Sequence, residues 1–392
     1  MTTRRKIGLS VFAVLALSIG ALVLASIFEP SLDPDFEKNL TAATPDEMQS
    51  LIAKEAAKLG VTAVSITVID GDQAPESHYV GRARADGLMQ VASLSKAAAA
   101  ASILIVADQK GVGLDDDIRE QITSLDIAAL EGGDRPVTLR QLLSHSTGAS
   151  QSGYPGYARD ASLPSTAEVI NDPPRIFESQ LAFDGEPGEF RYSGGGYTIA
   201  QLWAEDVTGK AFHKLAEEVL LKPLGMAEST FAQPIDEAAI APLVIVGADA
   251  GFDPTEGVFS SLEDSWHVYP EQAAAGLWTT SRDYARFIAA LMDAATGTEN
   301  AIPTEVATAM VTPQAETKWE PGSFYGLGIV LTVDDAKNQT DVWHTGANAG
   351  YRSYFVARAV TTETARRVVV VSANTASSSY LNRAIGDALM AR

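Results

Sequence analysis

The chain of 392 residues contains no cysteine. That excludes a disulfide framework, thiolate zinc ligation, iron–sulfur clusters and a cysteine nucleophile in one step. Histidine is scarce as well. His78, His145, His213, His267 and His344 lie far apart with no metal-ligand spacing, so no metal centre is expected. Basic charge is the minority: 29 Lys and Arg face 50 Asp and Glu, a net of −21. Such a balance repels phosphate backbones and argues against nucleic acid as a partner. Gly-x-Ser-x-Gly, His-Glu-x-x-His, Walker and Gly-x-Gly-x-x-Gly signatures are absent, and no cofactor is expected. What is present is apolar: 46% of residues are hydrophobic, enough for a sizeable core.

Charge is missing again near the N-terminus, where Arg4, Arg5 and Lys6 precede 22 uncharged residues, Ile7 to Phe28. As a helix this run is about 33 Å long, sufficient for a bilayer core of about 30 Å and longer than most signal-peptide apolar regions. Glu29, Asp33, Asp35 and Glu37 follow it, so the charge asymmetry places the N-terminus in the cytoplasm and the remainder outside. Residues 1–28 are therefore expected to be an uncleaved membrane anchor, with a signal cleaved after Ala25 as the alternative. Both place the protein in the cell envelope, either anchored in the inner membrane facing the periplasm or another extracytoplasmic side, or secreted. Without residues 1–28 the chain holds 26 positive and 50 negative charges, a net of −24. That reads as a solvated surface. Residues 29–43 carry charges and two prolines without periodicity and read as a linker, which sets the folded domain at 44–392.

Thr44-Pro45-Asp46-Glu47 is an N-cap, a first-position proline and a capping-box glutamate, and Gly60 follows the helix they open. Residues 62–70 read as a buried strand, and His78 to Ala83 as its hairpin partner. Ala97 to Ala107 is apolar on every side and predicts a buried helix that stops near Gly111. Thr138 and Gln141 form a second capping box, and Tyr284, Phe287, Ile288 and Leu291 share one helical face. After Phe324 come strand-length runs at 324–332, 339–344, 351–359 and 367–373, then a helix from Tyr380 to Met390. The expected fold is α+β: both chain ends form one antiparallel sheet with flanking helices, around a mostly helical middle.

Ser93-Leu94-Ser95-Lys96 stands at the start of the buried helix. Serine and lysine three apart share a helix face, and burial beside a helix N-terminus lowers the lysine pKa, so Lys96 can take a proton from Ser93. Ser95 points elsewhere. Tyr192 precedes Ser193-Gly194-Gly195-Gly196, a glycine-rich turn that can hold a phenol over a cleft, where nearby cations would favour the phenolate as a general base. His344-Thr345-Gly346 ends a predicted strand, with Gly350 and Arg352 behind it. Glycine there lets a substrate backbone lie on the strand edge, and the next amide can donate to an oxyanion.

In this order the three motifs resemble the serine β-lactamase and penicillin-binding DD-peptidase family, in its class C β-lactamase, D-aminopeptidase and family VIII carboxylesterase branch. The resemblance runs from Thr44 to the C-terminus and includes Leu139-Arg140-Gln141-Leu142-Leu143-Ser144-His145-Ser146-Thr147-Gly148, Leu221-Lys222-Pro223-Leu224-Gly225-Met226, Ala275-Gly276-Leu277-Trp278-Thr279-Thr280-Ser281-Arg282-Asp283 and Tyr325-Gly326-Leu327-Gly328. His145 and its companions in these stretches read as scaffold. The resemblance implies a β-lactamase/transpeptidase-like fold with Ser93 as acylated nucleophile, Lys96 and Tyr192 as proton-transfer groups in either assignment, and an oxyanion hole from the Ser93 and Ala347 amides. His344, Thr345, Gly346, Gly194 and Arg352 would border the substrate.

His344 stands where β-lactamases usually have lysine, which shifts the reading toward DD-peptidases and D-aminopeptidases. Gly194 stands where the family most often has an amide-binding asparagine, which favours esters. Glu168 and Asn171 are three apart in a Pro-flanked segment, read as a loop, so a class A deacylating pair is absent. The implied function is an exported serine hydrolase acting through an acyl-enzyme on small esters, D-amino-acid peptides or cell-wall fragments. Its expected partners are a small ester, peptide or β-lactam-like substrate and, through residues 7–28, the membrane. The alternative is a catalytically idle penicillin- or peptidoglycan-binding sensor; retention of Ser93, Lys96 and Tyr192 together argues against it. A purely structural envelope protein has no positive feature in the sequence.

Overall fold

The computed structural model describes residues 31–173, 180–248, 250–253, 258–261, 266–334, 336, 338–358 and 366–392. The expected anchor, residues 1–28, lies outside the described residues. Among the described residues no helix is long and apolar enough to cross a membrane. The chain divides into residues 1–34 and a second unit, Asp35–Arg392, which holds everything below.

Helices α1 (Phe36–Ala42) and α2 (Pro45–Lys58) lead into strands β1 (Ala63–Asp70) and β2 (Glu76–Gly81). Thr44 and Glu47 make the expected capping box of α2. Next come the buried helix α3 (Ser95–Lys110), α4 (Leu139–Leu143), α5 (Thr166–Asn171), α6 (Gly194–Thr208) and α7 (Phe212–Ala216). Then follow α8 (Gln272–Ala275), α9 (Ser281–Ala295) and α10 (Thr304–Met310). The C-terminal part supplies β3 (Ala315–Glu316), β4 (Ser323–Tyr325), β5 (Val330–Val333), β6 (Gln339–Asn348), β7 (Tyr351–Arg358), β8 (Arg367–Ala373) and α11 (Ser379–Met390). These eight strands form one antiparallel sheet, ordered β2-β1-β8-β7-β6-β5-β4-β3. The pairing of β1 with β8 joins the two chain ends in one sheet, as the sequence predicts.

Val368 to Val371 form an unbroken apolar run because both faces of β8 are covered. Val368 and Val370 join the main core with Tyr284, Phe287, Ile288 and Leu291 of α9. By strand alternation Val369 and Val371 face the other way, and α11 packs on β7 and β8. All four valines are fully buried, and each such side chain contributes about 1.5–3 kcal/mol. At the centre of the helical part, α3 is buried from Ser95 to Ala107. Its five alanines have no bulk to hold neighbouring helices off, and Gly111 closes it in a left-handed conformation, φ 69°.

Four local expectations need correction. The 29–43 stretch is not a tether throughout: α1 lies inside it, with Phe36 and Leu40 buried and the Arg392 guanidinium on the Leu40 carbonyl. The 324–332 run is two strands, β4 and β5, because Gly326 to Ile329 turn back on themselves, with the Gly326 N–H on the Ile329 carbonyl at 2.9 Å. Glu168 and Asn171 sit on helix α5, where Glu168 completes a capping box with Ser165 and Asn171 accepts from Gln180. Thr138 caps α4 by accepting from the Gln141 N–H, a one-way cap.

Candidate active site

The chain enters α3 through Ala92, a non-glycine residue at φ 52°, and a short 3-10 turn, Ala92–Leu94. Positive φ is strained for alanine, and the surroundings enforce it. The Val91 N–H reaches the Leu277 carbonyl at 3.1 Å, the Val91 carbonyl accepts from Ser353 at 2.6 Å, and the Leu94 carbonyl accepts from the Tyr284 hydroxyl at 2.9 Å. This leaves Ser93 half-exposed and Ser95 buried. The Ser95 hydroxyl accepts the Leu277 N–H at 2.9 Å, a structural bond pointing away from the cleft.

Lys96 is fully buried. Its Nζ donates to Ser93 Oγ at 3.2 Å and to the Ala274 carbonyl at 2.7 Å, and lies 5.0 Å from the Tyr192 ring centre and 5.5 Å from that of Tyr197. Burial lowers its pKa to about 7, so a large fraction is a neutral amine at neutral pH. Tyr192 is also hydrogen-bonded to Ser93, but burial pushes its phenol above the ordinary value of 10. Desolvation outweighs that bond, so the phenol is held in its neutral form and not as the phenolate that nearby cations would favour.

His145, read from the sequence as scaffold, packs within this cluster. Its carbonyl accepts the Arg191 N–H at 2.8 Å and its Nδ1 accepts the Ser193 N–H at 3.0 Å, so it grips the residues on both sides of Tyr192. Its ring lies 4.2 Å from that of Tyr192 and 4.5 Å from that of Tyr325. Burial, then the neighbouring Lys96 and His344, hold the imidazole well below its usual pKa. Tyr325, which the sequence places in a scaffold stretch, donates its hydroxyl to His344 Nε2 at 2.9 Å. His344 Nδ1 bonds the Thr345 carbonyl at 2.6 Å, which fixes the tautomer. Burial, with the Lys96 charge second, lowers His344 to about 3, so it is neutral at physiological pH. Its ring is 6.2 Å from Tyr192.

The opposite wall is β6. Strand β5 pairs with it only as far as Trp343, whereas β7 continues to Asn348, so residues 344–348 have one free edge. A two-residue turn, Ala349-Gly350, closes on the pair Asn348 and Tyr351, which makes that pair the hydrogen-bonded one. Alternation then aims the N–H and C=O groups of Thr345 and Ala347 away from β7, toward the free edge. Gly346 lies against the approach to Ser93, where a Cβ would be 2.2 Å from the Val91 carbonyl oxygen. Any side chain there would push the strand off the nucleophile. Arg352 donates to the Asn348 and Tyr351 carbonyls, each at 2.7 Å, and so ties down the turn.

Gly194 opens α6 behind the Ser193 cap, and neither it nor Gly195 or Gly196 has positive φ. A Cβ on Gly194 would lie 3.0 Å from Cε2 of Tyr154. Tyr154 bonds the Thr198 hydroxyl at 2.8 Å, which in turn donates to the Gly194 carbonyl at 3.1 Å. An aromatic ring therefore fills the space at residue 194.

A family model described as Beta-lactamase matches residues 48–390. Among curated proteins, "Protein flp" of Staphylococcus aureus (strain MRSA252) is 29% identical over 150 residues, 37% of this chain and 28% of the relative. The D-alanyl-D-alanine-carboxypeptidase/endopeptidase AmpH of Escherichia coli (strain K12) is 23% identical over 237 residues, 58% of this chain and 57% of the relative. The matches thus span about a quarter to just over half of those proteins. Among solved structures, the D-amino acid amidase of Ochrobactrum anthropi SV3 complexed with D-phenylalanine superposes with a TM-score of 0.69 at 20% identity, covering 88% of this chain and 98% of that one.

Proposed function

Because the chain belongs to the Beta-lactamase family of serine hydrolases, we propose that Ser93 is its nucleophile and that it transfers acyl groups from small esters and D-amino-acid amides or peptides to water. One observation carries the reading: a buried lysine with a pKa near 7 sits 3.2 Å from a half-exposed serine hydroxyl. Neutral Lys96 takes the Ser93 proton as Oγ attacks the carbonyl carbon. The oxyanion that forms is held by the Ser93 and Ala347 amides, the latter on the free edge of β6. Tyr192, protonated and bonded to Ser93, gives a proton to the departing oxygen or nitrogen and is restored from Lys96. Water then cleaves the acyl-Ser93 ester by the reverse proton route.

His344 carries no charge at neutral pH. A substrate with a free terminal carboxylate loses the cation that lysine offers at this place in β-lactamases, which supports uncharged esters and amides as the better acyl donors. The D-amino acid amidase among the structural relatives supports D-amino-acid amides as one such uncharged donor, and the D-alanyl-D-alanine-carboxypeptidase among the curated ones supports a D-configured peptide substrate. The basic residues before the uncharged run and the acidic ones after it support residues 1–28 as a membrane anchor or a cleaved export signal, with the enzyme in the cell envelope or secreted.

Intact-mass measurement after exposure to a fluorophosphonate and to a penicillin, with peptide mapping, tests the proposal. A single adduct on Ser93, lost in Ser93→Ala, is expected. An adduct elsewhere, or penicillin held without a covalent bond, returns the protein to the binding-module reading.

A further inference from the structure

Large apolar side chains are buried almost throughout the described residues, and Trp319 is an exception at 47% exposed. It is not on a loose loop. The turn between β3 and β4 is closed by the Thr317 N–H on the Ser323 carbonyl at 3.0 Å and the Ser323 N–H on the Glu320 carbonyl at 3.1 Å. The Trp319 and Glu320 amides bond the Thr317 and Ser323 hydroxyls, each at 3.2 Å, and Glu320 pairs with Arg383 of α11 at 2.6 Å. Lys318, directly before the indole, has φ 62°. A left-handed lysine in a fully bonded turn is a conformation the chain maintains at a cost, and it fixes where the indole stands.

The indole stands beside the proton donor. Its ring centre is 5.6 Å from Tyr192 and 5.2 Å from Phe190, the latter edge-on at 88°. It is 6.5 Å from Trp343, the residue before His344. In the proposed reaction Tyr192 protonates the departing atom, so these neighbours border the leaving group's side of the site. Gly194 and Tyr154 lie instead at the start of α6, beyond Ser193. A wall of Phe190 and Trp319, with about half of the indole open to solvent, can receive another flat apolar group.

We propose that Trp319 is a specificity residue that stacks on the leaving group, so that the enzyme favours acyl donors whose departing part is a planar aromatic ring. The inference rests on the acyl-enzyme reading above and adds the chemistry of the departing group to it. The reaction itself is unchanged: the bond from the carbonyl carbon to the aryl oxygen breaks, the phenol leaves with the proton from Tyr192, and acetyl-Ser93 remains.

The test holds the acyl group constant. Phenyl acetate and 2,2,2-trifluoroethyl acetate give the same acetyl-enzyme and differ in the ring. For Trp319→Ala, kcat/KM on phenyl acetate is expected to fall about tenfold, and on the trifluoroethyl ester less than twofold. Trp319→Phe should retain most of the preference. Breakdown of acetyl-Ser93, followed by mass, should be unchanged in both variants. Equal losses on the two esters would assign the residue a structural role and overturn the proposal, as would a loss that follows an aromatic acyl group instead. Failure of the underlying reading looks different: no acetyl group appears on Ser93 in the native protein with either ester.

Discussion

In the proposed reaction two helix starts deliver the reacting groups, and they are built in opposite ways. Helix α6, which follows Tyr192, is fully capped: Ser193 Oγ accepts the Gly196 N–H at 3.0 Å, and the Gly194 and Gly195 amides reach the Ser152 and Gln151 carbonyls. Helix α3, which follows Ser93, has no side-chain cap and is entered through a strained alanine. The 3-10 turn takes up the Leu94 and Ser95 amides on the Val91 and Ala92 carbonyls, and the Ser93 amide ahead of them is the donor assigned to the forming oxyanion. A capped start does no electrostatic work on substrate and serves to hold Tyr192 still. In the proposed reading the nucleophile's helix is thus open at the Ser93 amide alone, and the proton donor's helix is closed.

The largest expected effect comes from breaking the open start. Ser93→Ala should abolish turnover and covalent labelling, while Ser95→Ala keeps labelling and loses about 1–3 kcal/mol of stability, because a buried Leu277 N–H is orphaned. Denaturant melts together with mass labelling separate the two; labelling that disappears with Ser95 and persists without Ser93 would reverse the assignment. Next in size, Lys96→Ala and Tyr192→Phe should each slow acylation about a hundredfold or more.

These two variants differ in their pH profiles. With Lys96 at about 7 and required neutral, kcat/KM should rise with pH through that value and then level off. Tyr192→Phe should retain the rising limb and Lys96→Ala should lose it. Lys96 also affects stability. Its folded pKa lies below its unfolded value of 10.5, so the unfolded chain binds more protons between those values and this group's contribution to stability increases with pH from about 7 to 10.5. Lys96→Met should therefore raise Tm at pH 6 more than at pH 10 while removing activity. A lower Tm at pH 6 would contradict the burial cost assigned to the amine.

Loosening the closed start should do less. His145→Ala removes a ring that touches Tyr192 and the acceptor for the Ser193 N–H, and is expected to lower kcat about tenfold and stability by about 1–3 kcal/mol. His145→Asn, which keeps an acceptor, should recover part of both; if it recovers neither, the hydrogen bond is not what places Tyr192. The smallest effect belongs to Gly194→Asn. Its side chain must displace the Tyr154 ring, so the single change should not raise amide acylation relative to ester hydrolysis, whereas Gly194→Asn with Tyr154→Ala should raise it severalfold. A gain from the single change would show that Tyr154 gives way freely.

Much of this comparison is legible in the residues themselves. The Ser93 to Lys96 spacing, the alanine run behind it and the strand-length segments at both ends depend on neighbours in sequence, so periodicity and capping reveal them. Helix α1 escapes because only Phe36 and Leu40 carry its apolar face, amid charges. His145 and Tyr325 escape for another reason. Their roles are contacts across the chain, to Tyr192 and His344, and no local pattern records a distance between segments separated by tens of residues. The charge states of Tyr192 and His344 are equally nonlocal, since burial sets both. Local motifs and the family resemblance therefore point to the candidate groups, and packing sets which of them is protonated.

The free edge of β6 has a consequence for life in a crowded compartment. Unpaired strand edges invite pairing between molecules and are a route to aggregation. Here the length left unpaired by β5 is five residues, His344 to Asn348, and only Thr345 and Ala347 among them are exposed. Gly346 sits tight against Val91, so the entrance to α3 walls one side of the opening. A sheet from another copy would have to insert a strand into that recess against the repulsion of two chains each carrying a charge of −21. A short extended segment suffers neither obstacle. The same recess that admits a single acyl donor thus screens out self-association, so changes that lengthen the edge should appear first as loss of solubility.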